Sequence, residues 1–482
     1  MISLVFRPIM LITALCMALQ ATVGVAAQSL SLSSYFGGTD TDAGLSVAAD
    51  SAGNAYLAGS TRSALMPCRG ALAGPQNVFV LKINASGSVG WCEYMGGAGV
   101  DTANAIAIDA SGNIFVAGST SSPGLATPGA LQGQLSGPQD AFIAKLSPAG
   151  SLQWRTYLGG PGSDQANSIA LDSAGNMYVT GFSTSPGYPI KGPLIPGSRY
   201  GGGAHDAVVT KLHSGGGSLD WSTYLGGAAD DVGYMAALAP DGTLYVTGYT
   251  ASTNFPVTAG SLQTELGASR GAWVTHLGTD GSLLQSTLLG GSSSASEPCT
   301  ACAAALAIDA TGNPWVAGLT GEADFPVTPE TAMQPTFGGG MHDAFIVELT
   351  PDLSSETYGT FAGGSSDDGC VALGFDSMGD LWCHGNTFSR DFPVTSDAYQ
   401  PTSGGPPDAF LLGLSPSGSL LYSTYLGGSG LEYGGATQSL AIGASGIWLT
   451  GWTASTDFPL LAPFDSALGG PQDAFLAWFA LL

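Results

Sequence analysis

The chain has 482 residues, with 36 acidic and 11 basic side chains, a net charge of −25 and only four lysines. That balance excludes binding to nucleic acid or anionic membranes through Lys and Arg, and 44% hydrophobic content excludes a disordered chain. Glycine, at 73 residues and without a collagen period, implies many tight turns.

From the N-terminus, Arg7 is the only charge before an apolar run over 9–19, and Val25 and Ala27 stand at −3 and −1 of a cut before Gln28. Residues 1–27 therefore read as a signal peptide and 28–482 as the mature, exported chain. The run is short for a membrane anchor, Thr13-Ala-Leu-Cys16 is a poor lipobox, and no later segment is long and apolar enough to span a bilayer. Six cysteines remain: Cys68, Cys92, Cys299, Cys302, Cys370 and Cys383. They fall two to a repeat, which suits disulfides within a repeat in an oxidising compartment. Cys299-Thr-Ala-Cys302 alternatively suggests a redox or metal pair, without the second CxxC or βαβ context that would support it.

Ser29–Phe36 reads as a lone strand resembling Ser419–Leu426. Then a Gly-Gly pair recurs at Gly37, Gly96, Gly159, Gly226, Gly290, Gly363 and Gly427, at spacings of 59 to 73 residues. A second marker follows in phase at Gly59, Gly118, Gly181, Gly248, Gly318, Gly385 and Gly451. Seven copies at such a period indicate a repeat architecture. Within one copy, Ser168–Asp172, Met177–Gly181, Asp206–Leu212 and Ser218–Leu225 are short apolar runs separated by turns. They predict four antiparallel strands. The chain ends in a third strand at Asp473–Leu482. The expectation is an all-β, seven-bladed β-propeller of four-stranded antiparallel blades, closed by the N-terminal strand pairing into the C-terminal blade.

The motifs Tyr157-Leu-Gly-Gly160, Ile106-Ala-Ile-Asp-Ala-Ser-Gly-Asn113, Asp391-Phe-Pro-Val-Thr395 and Asp408-Ala-Phe410 resemble the bacterial SBBP repeat, a seven-bladed β-propeller family. The resemblance implies an exported or surface-associated propeller and no shared catalytic residues. Asp-Ala-Phe becomes Asn77-Val-Phe in the first copy and Gly271-Ala-Trp in the fourth, and Phe-Pro is missing from the first three.

Strand alternation puts the Gly-Gly loops and the long variable loops on one face, the face expected to carry function. Five residues after the first Gly of each pair stands an acid: Asp42, Asp101, Asp164, Asp231, Asp368 and Glu432, with Ala295 in the fifth copy and Glu297 nearby. These should ring one mouth of the central channel, either binding a cation such as calcium or a polyol, or serving as Asx-type turn acceptors. Asp50, Asp109, Asp172, Asp309 and Asp376 open hairpins on the other face as turn residues. His205-Asp206 and His342-Asp343 are adjacent strand residues, which point to opposite faces and so argue against cooperation. Trp91, Trp154 and Trp221 recur in phase and read as packing residues. No nucleophile elbow, His-Glu-x-x-His or P-loop occurs.

Two functions follow. One is a monomeric, exported binding or adhesion scaffold without catalysis, presenting the loop-rich face to a glycan or protein ligand. The other is a secreted polysaccharide or small-substrate hydrolase or lyase using carboxylates at the channel mouth. No cofactor is identified.

Overall fold

Each repeat's four apolar runs hydrogen-bond in chain order into one antiparallel sheet, as the computed structural model shows for residues 28–192, 195, 199–292 and 301–481. The segment read as a signal peptide lies outside the described residues, as do Ala295, Glu297 and Cys299. Blades one to six occupy residues 42–95, 101–158, 164–225, 231–289, 301–362 and 368–426, and the described residues contain no helix. Adjacent blades pack through their inner strands. Each hydrophobic cluster draws on neighbouring sheets, such as Phe115, Ile143, Val179 and Tyr224 between blades two and three. A lone blade would leave both faces wet, so the ring is the smallest unit that buries them.

Closure follows the expected route. In blade seven the sheet order runs from Ser29–Phe36 to Asp473–Ala480, then Gly446–Thr453 and Glu432–Gly434, with Leu440–Gly443 also paired to Gly446–Thr453. The first strand lies antiparallel to the last, Phe36 opposite Ala474 and Tyr35 opposite Phe475. Leu30, Leu32, Tyr35 and Phe36 are buried by this pairing.

The two glycine markers acquire separate reasons. In blades one to six the inner strand carries a one-residue bulge, at Leu45, Asn104, Asn167, Tyr234, Ala304 and Val371. The second marker glycine sits opposite that bulge, where a Cβ would overlap the inner strand's carbonyl, as Gly59 shows against Ala43. Only glycine permits the approach. In blade seven four residues, Gly435–Gln438, replace the single bulge residue. Ala436 N donates to Leu45 O (2.7 Å), and Gln438 Nε2 donates to Ile169 O (3.1 Å) on the far side of the ring. Thr437 Oγ1 lies 3.4 Å from Tyr234 O. Blade seven thereby lays a bar across the channel.

Disulfides Cys68–Cys92 and Cys370–Cys383 each stay within one blade, and Cys302 is also disulfide-bonded. Such bonds suggest a non-cytoplasmic protein. No helix among the described residues is long and apolar enough to cross a membrane.

Removing residues 29–36 strips four large buried side chains, each contributing about 1.5–3 kcal/mol, from a fold whose whole stability is about 5–15 kcal/mol. The truncated chain is expected to lose cooperative thermal unfolding by circular dichroism. Tyr35→Phe, which deletes the 2.7 Å bond from Tyr35 Oη to Ser455 O and leaves Phe458 N without the hydroxyl it donates to at 3.2 Å, is expected to cost about 1–3 kcal/mol.

Candidate functional site

The six repeated acids do form a ring at the loop-rich end, but the chain seals them beneath its own loops. Asp42, Asp101, Asp164, Asp231, Asp368 and Glu432 are at most 3% exposed. Each accepts the backbone N–H of the second glycine of its pair: Gly38 to Asp42 at 2.7 Å, Gly97 to Asp101 at 2.8 Å, and so on to Gly428 to Glu432 at 2.9 Å. Each also accepts a serine hydroxyl from the loop leaving the second strand: Ser63, Ser122, Ser185, Ser252, Ser389 and Ser455. The same serines' carbonyls receive an outer-strand tyrosine in five blades: Tyr94, Tyr157, Tyr224, Tyr425 and, in blade seven, Tyr35. One carboxylate thus ties inner strand, Gly-Gly loop, long loop and outer strand together. Burial raises the pKa of Asp42, Asp164, Asp231 and Glu432, against hydrogen bonds that lower it, and takes Asp368 to about 6.

Blade five solves the same problem with different residues. The insertion before its inner strand moves the acid's structural position from Ala295 to Ala301, which pairs with Thr320 as Asp42 pairs with Thr61. The serine position holds Glu322 instead, and its Oε2 accepts Gly291 N at 2.6 Å. Carboxylate and small residue have exchanged strands, and the loop keeps its acceptor. Desolvation raises Glu322 to about 7.

A second ring was not singled out from sequence. Asp140, Asp206, Asp343, Asp408 and Asp473, with Asn77 and Gly271 as exceptions, open the third strands and are buried. Each of these five carboxyls accepts backbone N–H groups of its long loop, as Gly469 does for Asp473 (2.7 Å). The hairpin acids on the other face behave as turn residues: Asp50 Oδ1 accepts the N–H groups of Ala52 and Asn54. The in-phase tryptophans pack between blades, Trp91 Nε1 reaching Pro148 O at 3.2 Å.

What remains open on the loop-rich face is where the copies differ. His205 does not engage Asp206. Its Nδ1 meets Asp230 of the next blade at 2.7 Å, and Tyr249 Oη donates to Asp230 at 2.6 Å. Arg270 lies 3.6 Å from Asp230 and over the Tyr249 ring. Phe182 holds the imidazole edge-on at 4.4 Å, leaving His205 34% exposed. The matching positions in blades one and two are Gln76, Gln139, Ser60 and Ser119. At blade seven, Tyr433 and Trp452 stack with centroids 4.8 Å apart, and Phe388 of blade six, 37% exposed, meets Tyr433 edge-on. Leu431 is exposed beside them. No group of three His, Cys, Asp or Glu among the described residues is arranged to hold a metal ion.

This architecture defines a seven-bladed β-propeller. The SBBP family model, described as a beta-propeller repeat, matches residues 91–124 and 153–188, so SBBP repeats occur at those two positions. An uncharacterized WD repeat-containing protein, L264 of Acanthamoeba polyphaga mimivirus, is 26% identical over 197 residues. That match spans 37% of this chain and only 14% of the relative. Among solved structures, a protein of unknown function from Dyadobacter fermentans aligns over 95% of this chain and 100% of its own at 9% identity, TM-score 0.41. Sqt1 from Chaetomium thermophilum aligns over 94% and 100% at 11% identity, TM-score 0.42. A polysaccharide lyase, an ulvan lyase, aligns over 88% and 93% at 11% identity, TM-score 0.45.

The exchange in blade five is testable. Glu322→Ser alone strands the Gly291 N–H and is expected to cost about 1–3 kcal/mol. Adding Ala301→Asp should recover most of that loss in chemical denaturation, and a purely additive double variant would refute the exchange.

Proposed function

We propose that this protein is exported and works as a non-enzymatic binding propeller that holds a glycan in a cup formed by the loop-rich mouth of its channel. The observation that carries this reading is the aromatic group of Phe388, Tyr433 and Trp452. It lies where the other copies mostly hold small, polar or aliphatic residues, at the rim of a channel barred by Gly435–Gln438. Partly exposed rings beside hydrogen-bonding groups suit a sugar, whose C–H faces pack on aromatic carbon while its hydroxyls seek polar partners. The His205–Asp230–Tyr249 network supplies such partners on the same face. The two described disulfides and the N-terminal signal support export.

The repeated carboxylates cannot reach a substrate without unfolding the loops that cover them. A hydrolase or lyase would have to draw on groups left open on that face, such as His205, Asp230 and Tyr249.

The test is a glycan array with the mature chain, followed by calorimetry on the best ligand. Trp452→Ala and Phe388→Ala are each expected to weaken binding about 3–10-fold, from about 0.5–1.5 kcal/mol per ring contact, with little change in melting temperature. Binding unchanged in both variants would refute the cup as the site. Turnover on a polysaccharide panel that disappears in His205→Ala would replace the scaffold reading with an enzymatic one.

A further inference from the structure

The two rings of acids meet at the blade junctions. At five of them a third-strand acid lies beside the inner-strand acid of the next blade: Asp140 with Asp164, Asp206 with Asp231, Asp343 with Asp368, Asp408 with Glu432, and Asp473 with Asp42. Asp140 Oδ1 accepts Gly137 N at 3.1 Å, which sets that junction apart from the other four. The first glycine of each Gly-Gly pair is wedged between the two carboxyls. The point where its Cβ would stand is 3.0 Å from Asp206 Oδ1 and 2.7 Å from Asp231 Oδ2 at Gly226, and 2.5 Å from Asp343 Oδ1 and 2.9 Å from Asp368 Oδ2 at Gly363. The third-strand acids use Oδ2 to accept loop N–H groups. Their Oδ1 atoms, on Asp206, Asp343, Asp408 and Asp473, are buried and have no hydrogen-bond donor. A buried ionised oxygen without a donor, facing another carboxylate, is a costly arrangement.

Blade one shows what the slot accommodates. There the third strand opens with Asn77, whose Oδ1 accepts Gly74 N at 3.0 Å just as the Asp Oδ2 atoms accept their loops. Its Nδ2, a donor, lies beside Gly96 in the place of the unpartnered Asp Oδ1 atoms, next to Asp101. The position is therefore shaped for a group that accepts with one atom and donates with the other. A neutral carboxylic acid meets that requirement, and a carboxylate does not.

We propose that Asp206, Asp343, Asp408 and Asp473 are protonated on Oδ1 in the folded protein and donate to the inner-strand acid of the following blade, so that each of the four junctions is a proton-binding site closed by one shared proton. The charges acting on these acids are themselves acidic. Asp230 and Asp231 act on Asp206, Asp367 and Asp368 on Asp343, and Asp42 and Asp465 on Asp473. Asp408 faces Glu432, Asp368 also faces Asp391, and Asp42 faces Asp40. Hydroxyls of Tyr35, Tyr200, Tyr224 and Tyr425 act on Asp473, Asp206 and Asp408. His205 and His342 directly precede Asp206 and Asp343 in the chain, and the His205 ring and Arg270 are engaged with Asp230. Desolvation, ahead of these repulsions, takes Asp206 and Asp473 to about 6 and Asp343 to about 7, and raises Asp408. No third acidic or imidazole ligand converges that would favour a metal over a proton among the described residues.

The folded state then binds protons that the unfolded chain has released near neutrality. Stability is full below the ordinary carboxyl range and falls as pH rises through the folded values near 6 to 7. The wild-type melting temperature should be higher at about pH 5 than at about pH 8. In Asp206→Asn, Asp343→Asn and Asp473→Asn, singly and combined, the drop should shrink stepwise, with stability at the higher pH kept or raised. Asn77→Asp should enlarge the drop. Infrared spectra at neutral pH should show the carbonyl stretch of protonated carboxyls, weakened in the combined variant. A variant series that lowers the melting temperature equally at both pH values, with the infrared band absent from the wild type, overturns the proposal. So does stabilisation by calcium at the higher pH that the Asn variants abolish. These readouts do not depend on glycan binding.

Discussion

A buried carboxylate beneath each Gly-Gly loop is the constraint on which the rest of the propeller depends. Blades touch mainly through apolar faces, which fix distance but not register or angle. A carboxylate that accepts from the Gly-Gly loop and from the long loop fixes both, because hydrogen bonds are directional and an unmet buried donor costs about 1–3 kcal/mol. The dipeptide spacing follows from this. The second glycine supplies the N–H, and at five of the seven pairs two carboxyls close on the place where the first glycine's Cβ would stand; at Gly96 a carboxyl and the Asn77 amide do so. Blade five shows that the acceptor, rather than any residue at one position, is what each junction requires: Ala301 and Glu322 preserve it with the strands exchanged.

Closure and the channel bar are the two places where the chain departs from strict repetition for structural reasons. The first strand supplies the outer edge of the last blade and its Tyr35 hydroxyl, so blade seven has the same tyrosine tie as blades one, two, three and six. Its inner strand trades a single bulge residue for four, which reach the backbones of blades one and three. A ring held at its junctions by short-range bonds gains from this cross-brace a contact between opposite sides. The same brace spans the channel from blade seven to blades three and four.

Much of this was legible in the chain itself, for a physical reason. Repeat number, strand order and the closing strand follow from glycine markers and apolar runs that every copy must satisfy, so each copy corroborates the others. The repeated acids were legible as residues, but their environment was not: a channel-mouth ligand and a sealed turn acceptor call for the same Asp at the same spacing. The serine two residues beyond each second strand, as in Thr61-Arg62-Ser63 and Thr120-Ser121-Ser122, was the available signal for the sealed form. Counting from the glycine pair leads to Ala295, and an insertion before residue 301 defeats that count. His205 has Asp206 as its chain neighbour, while its partner, Asp230, lies in the next blade and is reached only through the ring.

The repeat's regularity also bears on where recognition can lie. Positions that satisfy every junction are committed to the fold: the Gly-Gly N–H groups, the acids, the serines and most outer tyrosines have their partners inside the chain. Selection for a ligand can act only on positions that the junctions leave free, namely those flanking the acid, following the second marker glycine and preceding the third strand. In blades one and two these hold Ser60, Gln76, Thr102, Ser119 and Gln139, residues with little character of their own. In blades three, four and seven the same positions hold Phe182, His205, Tyr249, Arg270, Tyr433 and Trp452. The contrast arises within one chain, and part of it is packing, since Tyr249 and Phe182 also join a small apolar cluster with Val232 and Cys302. A propeller of seven equivalent blades offers a ligand seven equivalent edges. Concentrating aromatic and charged groups on some of them gives the cup a definite orientation, which a site for an asymmetric ligand requires.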